Sequence, residues 1–311
     1  MASLTLGLAQ AAFPRMGITP SQPDGLRSWL TAGSYRVSQN VDGRIIKLSD
    51  VHAAEVGPYL SYDYERFALS SLESFQVALV EVASHGYVSW PIIKLYYSAF
   101  FAAHAIMRLC GTSIIKLEKE HVDFLQSLSD VYVSGGGAIR AGMYQIRFRQ
   151  VASGSLEAAI ERQSDSQGAH EGFWRAFDDF LNVTANEMVN RKSAEASDFV
   201  AGVNEIQPML RPHGTRRSAW ISAMRNEVNY QHRHGSWQPG RLERRSSARL
   251  ASIAVTPSAA VRLDFALDAD AAEAFIAVSH YLSSLNVELG NVVAGNSTAA
   301  RAFGQNWRRL A

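Results

Sequence analysis

The segment SWPIIKLYYSAFFAAHAIMRLCG, residues 89–111, constrains the fold more than any other stretch of the chain. Pro91 suits the first turn of a helix, where a missing N–H costs nothing, and Gly111 suits the position just past a helix end. The intervening run, Ile92 to Leu109, reaches the length of a short membrane span. It also carries Lys94, His104 and Arg108, which are expensive in hydrocarbon, so it reads as a buried helix rather than a membrane helix. Other helices are needed to cover it. Phe67, Leu69, Phe75, Leu79 and Val82 predict an amphipathic helix from Asp63 to Ser84, ended by Gly86. Phe275, Ile276, Val278, Tyr281, Leu282 and Leu285 predict another from Asp268 to Leu289.

The 311 residues, 47% of them hydrophobic, can build one large domain or two ordinary ones. Cys110 is the only cysteine, which excludes an intrachain disulfide and gives the thiol a packing role in a reducing compartment. The N-terminus has no basic residue before its apolar run and reads as carrying no export signal. Residues 34–48 hold two β-prone runs around Asp42-Gly43, the dipeptide of a tight hairpin. Beyond residue 113 the helical pattern breaks. Gly135-Gly136-Gly137, read as a flexible joint, precedes the β-prone, basic AIRAGMYQIRFRQV, then a polar loop to about Gly168 and a helix from Gly172 to Val189.

A second motif carries the chemistry. In Arg225-Asn226-Glu227-Val228-Asn229-Tyr230-Gln231-His232 the arginine and histidine stand seven residues apart. In a continuous helix at about 100° per residue they would share one face, about 20° apart, with Asn229 about 40° to the other side. Thr215 or Ser218 would cap this helix, and Gly235 and Pro239 would end it. A permanently charged guanidinium can hold phosphate oxygens, and an imidazole can move a proton near neutral pH. The competing reading is a helix ending in cations because they suit its negative C-terminal dipole. Tyr230 reads more readily as core packing than as a base-stacking platform, and His104 as a satisfied core histidine.

Charge is segregated around this motif. Residues 211–250 hold nine arginines, no lysine and two acids, Glu227 and Glu243, so the window is +7 and the remainder of a +1 chain is −6. Arginine without lysine favours forked bonding to phosphate, and nucleic acid is the commonest polyanion. The alternative is a solvated loop paired with acidic patches elsewhere. His213, His232 and His234 lack the cysteine and the well-placed acid that a metal site would need. No phosphate-gripping glycine loop is present.

Together, residues 89–111 and RNEVNYQH resemble two signatures of the HEPN (higher eukaryotes and prokaryotes nucleotide-binding) family. Residues 89–111 are similar to the family's helix with a tyrosine pair before an aromatic and small-residue run, the second of its bundle. RNEVNYQH is similar to the family's arginine, polar successor and downstream histidine, here with six intervening residues, the permissive limit. The resemblance covers roughly 63–111 and 215–290. It implies a cleft between two protomers, with Arg225 and His232 as catalytic pair and Asn226 as orienting residue. In some relatives a tyrosine two positions after the histidine is modified by a partner enzyme; His234 stands there, which argues against that control.

The expected fold is therefore mainly α: a HEPN-like up-and-down helical bundle, a small N-terminal β element and an α/β insertion. The expected organisation is a β-containing extension (1–60), the bundle (61–112 and 213–292), the insertion (113–212) and a C-terminal tail (293–311). The expected function is a metal-independent, cofactor-free cytoplasmic endoribonuclease of the toxin or antiphage kind. It would act as a homodimer and could be held by an antitoxin or regulatory protein, with no membrane association. The RNA contacts would come from Asn229, Tyr230, Arg216, Arg217 and Arg233. The alternative is a catalytically silent RNA-binding or scaffold module.

Overall fold

The computed structural model describes residues 1–13, 24–85, 88–152, 154–164, 168–211, 219–233, 237, 252, 271–296 and 301–310. They form a mainly helical protein built on one antiparallel sheet. In chain order the elements are α1 (Ala2–Gln10), α2 (Leu26–Ala32), β1 (Arg36–Val41), β2 (Ile45–His52), α3 (Ala53–His85), α4 (Ser89–Leu109), β3 (Thr112–Leu117) and α5 (Lys119–Tyr132). There follow β4 (Gly142–Ala152), β5 (Ser155–Arg162), α6 (Ala169–Asn190), α7 (Ala196–Leu210), α8 (Ala219–Asn229), α9 (Ala271–Asn296) and α10 (Arg301–Leu310).

As its composition demands, α4 is covered on nearly every side. Leu95, Tyr96, Ala99, Ala102, Ala103, Ile106 and Met107 are all buried, enclosed by α3, α6, α8 and α9. Small side chains let the helices approach closely. Where α3, α4 and α9 meet, Ser98 Oγ donates to the Ser71 carbonyl at 2.8 Å and lies 2.7 Å from Ser283 Oγ, so the hydroxyls pair with no water between them. Among the described residues no helix is long and apolar enough to cross a membrane.

The sheet has the order β1-β2-β5-β4-β3, and its buried face forms a second core with α2, α5 and the start of α3. The predicted hairpin is present as β1 and β2. Asp42 (φ 53°) and Gly43 (φ 66°) both have positive φ, in a tight turn closed by the Arg44 N–H to the Val41 carbonyl at 2.9 Å, with residues 42–44 between the paired Val41 and Ile45. This hairpin does not stand apart, because β2 pairs with β5 from the middle of the chain. The expected polar loop after residue 151 is corrected at Ser155–Arg162, which is strand β5 with Leu156, Ala158 and Ile160 inward. Its alanines and glutamates are weak strand formers, and pairing along both edges holds them in place.

Three further differences have local causes. Helix α7, to which the sequence assigns no element, buries Phe199, Val203, Ile206 and Leu210 and packs against α1 and α6, with Gly7 facing Phe199 and Gly202 facing Leu4 in close contact. The expected C-terminal tail contains α10, whose Phe303 and Trp307 are buried and whose indole donates to Asn291 Oδ1 at 2.9 Å. Two of the three consecutive glycines are packed rather than part of a free joint: a Cβ on Gly137 would lie 2.4 Å from Asp42 Cα, and one on Gly136 would lie 2.8 Å from Asn40 Nδ2, while Gly135 is exposed with space around it. Gly136 and Gly137 let the segment before β4 lie against the β1–β2 turn.

Gly43 is the most exacting position in that contact. It needs positive φ, and an added Cβ would stand 1.9 Å from the Ala138 carbonyl oxygen. Gly43→Ala should destabilise the protein by about 1–3 kcal/mol, read as a lower urea midpoint at unchanged slope. A midpoint equal to wild type would show that the turn is not anchored this way.

Candidate functional site

The two stretches that carry the sequence motifs meet in the fold. Adjacent residues of a helix point about 100° apart, so Tyr96 of α4 faces the core, fully buried, while Tyr97 stays half-exposed beside it. Helix α8 lies against this edge, anchored by Ile221, Met224 and Val228, and presents Arg225 to both tyrosines. The guanidinium donates to Tyr97 Oη at 3.4 Å and to Asn226 Oδ1, and its Cζ lies 5.5 Å from the Tyr96 ring centre and 5.9 Å from that of Tyr230. These aromatic faces attract the cation without neutralising it.

No described carboxylate pairs with Arg225, unlike Arg211, which forms an ion pair with the fully buried Asp178, and Arg175, which pairs with Glu171. Its Nε is buried without a partner. Of a guanidinium's five N–H donors, two are committed, to Tyr97 and Asn226; one hydrogen on each Nη remains, besides the buried Nε–H.

The histidine of this site is His170, to which the sequence pattern assigns no role. It stands in the first turn of α6, half-buried, with Nδ1 2.8 Å from Tyr96 Oη. Trp174, one turn further on, donates its indole N–H to the same Tyr96 oxygen at 3.3 Å. Tyr96 therefore accepts from Trp174 and passes its own proton towards His170 Nδ1, which places the ring hydrogen of the neutral imidazole on Nε2. Phe100 packs on the imidazole at 4.7 Å between centres, and the Tyr97 ring lies 6.2 Å away. Burial and then the Arg225 charge push the His170 pKa down to about 4. The signal for this residue is the stripe His170, Phe173, Trp174, Phe177, which extends the apolar pattern of α6 backwards by one turn. Starting the helix at Gly172 leaves His170 in a loop.

His232 is placed differently from the sequence expectation. Helix α8 ends at Asn229, and His232 has φ 51°, so the two residues do not lie on a continuous helical stripe. The cause is the helix end itself. The N–H of Arg233 turns back to the Glu227 carbonyl at 3.0 Å and the Trp237 indole takes the Val228 carbonyl, satisfying groups left open at the last turn. Left-handed backbone is tolerated by histidine better than by branched residues. The exposed His232 ring packs on Trp237 at 5.5 Å, and Trp237 packs edge-on against Trp90 at 5.5 Å. No hydrogen bond or ring contact among the described residues joins it to Arg225.

The remaining candidates divide. Asn226 fixes the guanidinium of Arg225 rather than an imidazole. Tyr230 is 69% exposed, which overturns core packing as its role and leaves its face open beside Arg225. Asn229 is the half-buried last residue of α8, and Arg233 is exposed with Nη1 3.9 Å from Glu227 Oε1. Arg216, Arg217, the expected caps Thr215 and Ser218, and His213 and His234 lie outside the described residues. His104 is a core histidine, stacked 3.8 Å from the Phe173 ring centre and bonded to Arg108. Cys110 is half-buried, its thiol pushed up to about 12 by burial, consistent with a packing role. Among the described residues no three His, Cys, Asp or Glu side chains converge as a metal site. No protein-family model, no curated protein and no solved structure matches the chain.

The depressed His170 pKa has a consequence for stability. The unfolded imidazole has its ordinary value of 6.5 and the folded one about 4, so between these values the unfolded chain binds the proton that the folded chain refuses. His104, lowered by burial and then by Arg108, acts in the same direction. Stability should therefore be fully present above pH about 6.5 and fall as pH drops towards 4. Urea midpoints across this range should decline, and less steeply in His170→Gln. An identical decline in that variant would show that His170 is not held neutral.

Proposed function

We propose that this chain is a metal-independent endoribonuclease of the HEPN type, with Arg225 as the phosphate-holding residue. The observation that carries the reading is Arg225 itself: half-buried between tyrosines, without a described acidic partner, and beside a neutral histidine. A cation left unpaired at a partly desolvated position favours an anionic ligand over water. The reading is supported by the contact between the tyrosine pair of α4 and the arginine motif of α8, the two stretches on which the HEPN resemblance rests.

RNA brings its own nucleophile, the 2′-hydroxyl beside each phosphate. Cleavage needs only a proton acceptor, a proton donor and opposition to charge developing on the phosphorane oxygens. Arg225 supplies the last, and Asn226 holds its fork in plane. The exposed ring of Tyr230 offers an adjacent base a stacking surface. His232 of a second protomer is available for proton transfer if a two-fold axis runs beside α8, where its exposed imidazole lies. A homodimer acting on RNA in the cytoplasm, in the manner of toxins or antiphage effectors, belongs to the same proposal, as does restraint by an antitoxin or regulatory protein.

One observation favours a different reading. His232 stands off the α8 stripe, packed on Trp237, so a module that binds RNA and leaves it whole has the same Arg225 surface without a cis partner at position 232. Incubation with total RNA separates the two. The ribonuclease cuts RNA in the presence of chelator and leaves 2′,3′-cyclic phosphate ends; Arg225→Ala should lower this cleavage by about two orders of magnitude or more while the fold survives. RNA retained on the protein but intact after long incubation selects the binding module. Strict magnesium dependence, or DNA cut at a similar rate, refutes the mechanism.

A further inference from the structure

Arg225 and His170 come from different helices, yet both rest on the Tyr96–Tyr97 pair of α4 within one chain. Neither is paired to a described carboxylate, and the acid nearest to His170 in sequence, Glu171, is taken by Arg175. The remaining donors point to one kind of ligand. Arg225 has one uncommitted N–H on each Nη, besides the buried Nε–H, and His170, with Nδ1 occupied by Tyr96, has Nε2–H without a described partner. Tyr97 adds a hydroxyl. An array of donors with a fixed positive charge is matched by a tetrahedral oxyanion.

We propose that Arg225, His170 and Tyr97 of a single chain form a phosphodiester subsite, in which the guanidinium takes the charge and the neutral imidazole donates through Nε2. This rests on the RNA reading of the preceding subsection for the source of the phosphate, but needs no cleavage. The subsite also responds to its own occupancy. Burial and the Arg225 charge keep His170 deprotonated in the free protein. A bound phosphate offsets that charge and stands beside the imidazole, so it favours the protonated form. The groups facing His170 are Tyr96, Tyr97 and more distant His104 from α4, Arg225 from α8, and the Glu171–Arg175 pair on α6. Of these only Arg225 is an unpaired charge, so ligand at Arg225 is the event that retunes the ring. Protonated His170 holds its second ring proton on Nδ1, with the Tyr96 hydroxyl turned to accept it; it can release Nε2–H to a leaving 5′-oxygen and return to a neutral ring, while a separate base takes the 2′-hydroxyl proton.

The test uses the full chain and an oligoribonucleotide with 2′-deoxy substitution at each position, which cannot be cleaved by transesterification. The His170 imidazole is followed by NMR as pH is varied, without and with this probe. The expected result is a free value near 4 that rises by at least about one unit in the complex, equivalent to about tenfold tighter binding at the acidic end than above pH 6.5. Binding should be accompanied by proton uptake, seen as a dependence of calorimetric heat on buffer. His170→Gln, which keeps a neutral donor, should bind at pH 7 but lose the pH dependence, and Arg225→Gln should lose most of the binding. An imidazole that titrates identically with and without saturating probe overturns the proposal, as does undiminished binding by Arg225→Gln. If the probe binds with the expected signature while unmodified RNA stays intact, the subsite stands and the ribonuclease reading falls.

Discussion

Arg108, a fully buried arginine, holds the two cores together. Its side chain is 2% exposed, and its Nε lies 3.8 Å from Asp63 Oδ2 on α3. It donates to His104 Nδ1 at 2.9 Å and to the Ile114 carbonyl of β3 at 3.4 Å, with its Cζ 4.2 Å from the Phe67 ring centre. Burial lowers its pKa to about 10, opposed by Asp63, which leaves the group charged at neutral pH. A charge inside a protein must be met by partners or it opposes folding by several kcal/mol. Every element contributing a partner is thereby committed to one arrangement. Asp63 extends the commitment to α2, accepting the Leu26 N–H at 3.2 Å, and bonds Arg66 outward. Helices α2, α3 and α4 and strand β3 are thus tied to one buried charge.

The candidate site hangs from the same point. His104, kept neutral by burial and by Arg108, stacks on Phe173 of α6, and Phe173 adjoins Phe100, on which His170 packs. A run of rings therefore connects the buried arginine to the first turn of α6 and positions His170 over Tyr96. The contrast between two arginines is instructive. Arg108, whose Nε like that of Arg225 is buried without a hydrogen bond, has an acid, carbonyls and a ring around it, so its charge is met within the fold. Arg225 has rings, one hydroxyl oxygen and one amide oxygen but no described acid, so no described residue neutralises its charge. Desolvation alone does not distinguish them; the supply of anionic partners does.

Much of the helical framework was legible because it rests on local pattern. Pro91 and Gly111 bound α4 closely, and Phe275 to Leu285 mark α9, because an apolar stripe at helical spacing has few other uses. Asp42-Gly43 marks the hairpin through its backbone preference. The elements that escaped are those whose reason is remote. Strand β5 is made by two neighbours that precede it in sequence, β2 by more than a hundred residues. Helix α7 exists against α1, from the opposite end of the numbering. Position 232 was misplaced for a related reason: helical periodicity assumes that the helix continues, whereas the Trp237 indole and the Arg233 N–H close it at Asn229.

The residue types alone named a guanidinium, a histidine and a tyrosine pair as candidates for phosphate chemistry, and determined that α4 would be a buried helix of a mainly helical chain. Which histidine shares the tyrosine pair with Arg225 was decided only by the tertiary structure. His232 is near in sequence but is carried away by the turn at the end of α8. His170 is 55 residues upstream in sequence but is brought in by the packing of α6 and α8 on the same tyrosines. The physical reason is that side-chain chemistry is a property of the residue, whereas proximity between helices is set by how their apolar faces fill a common core.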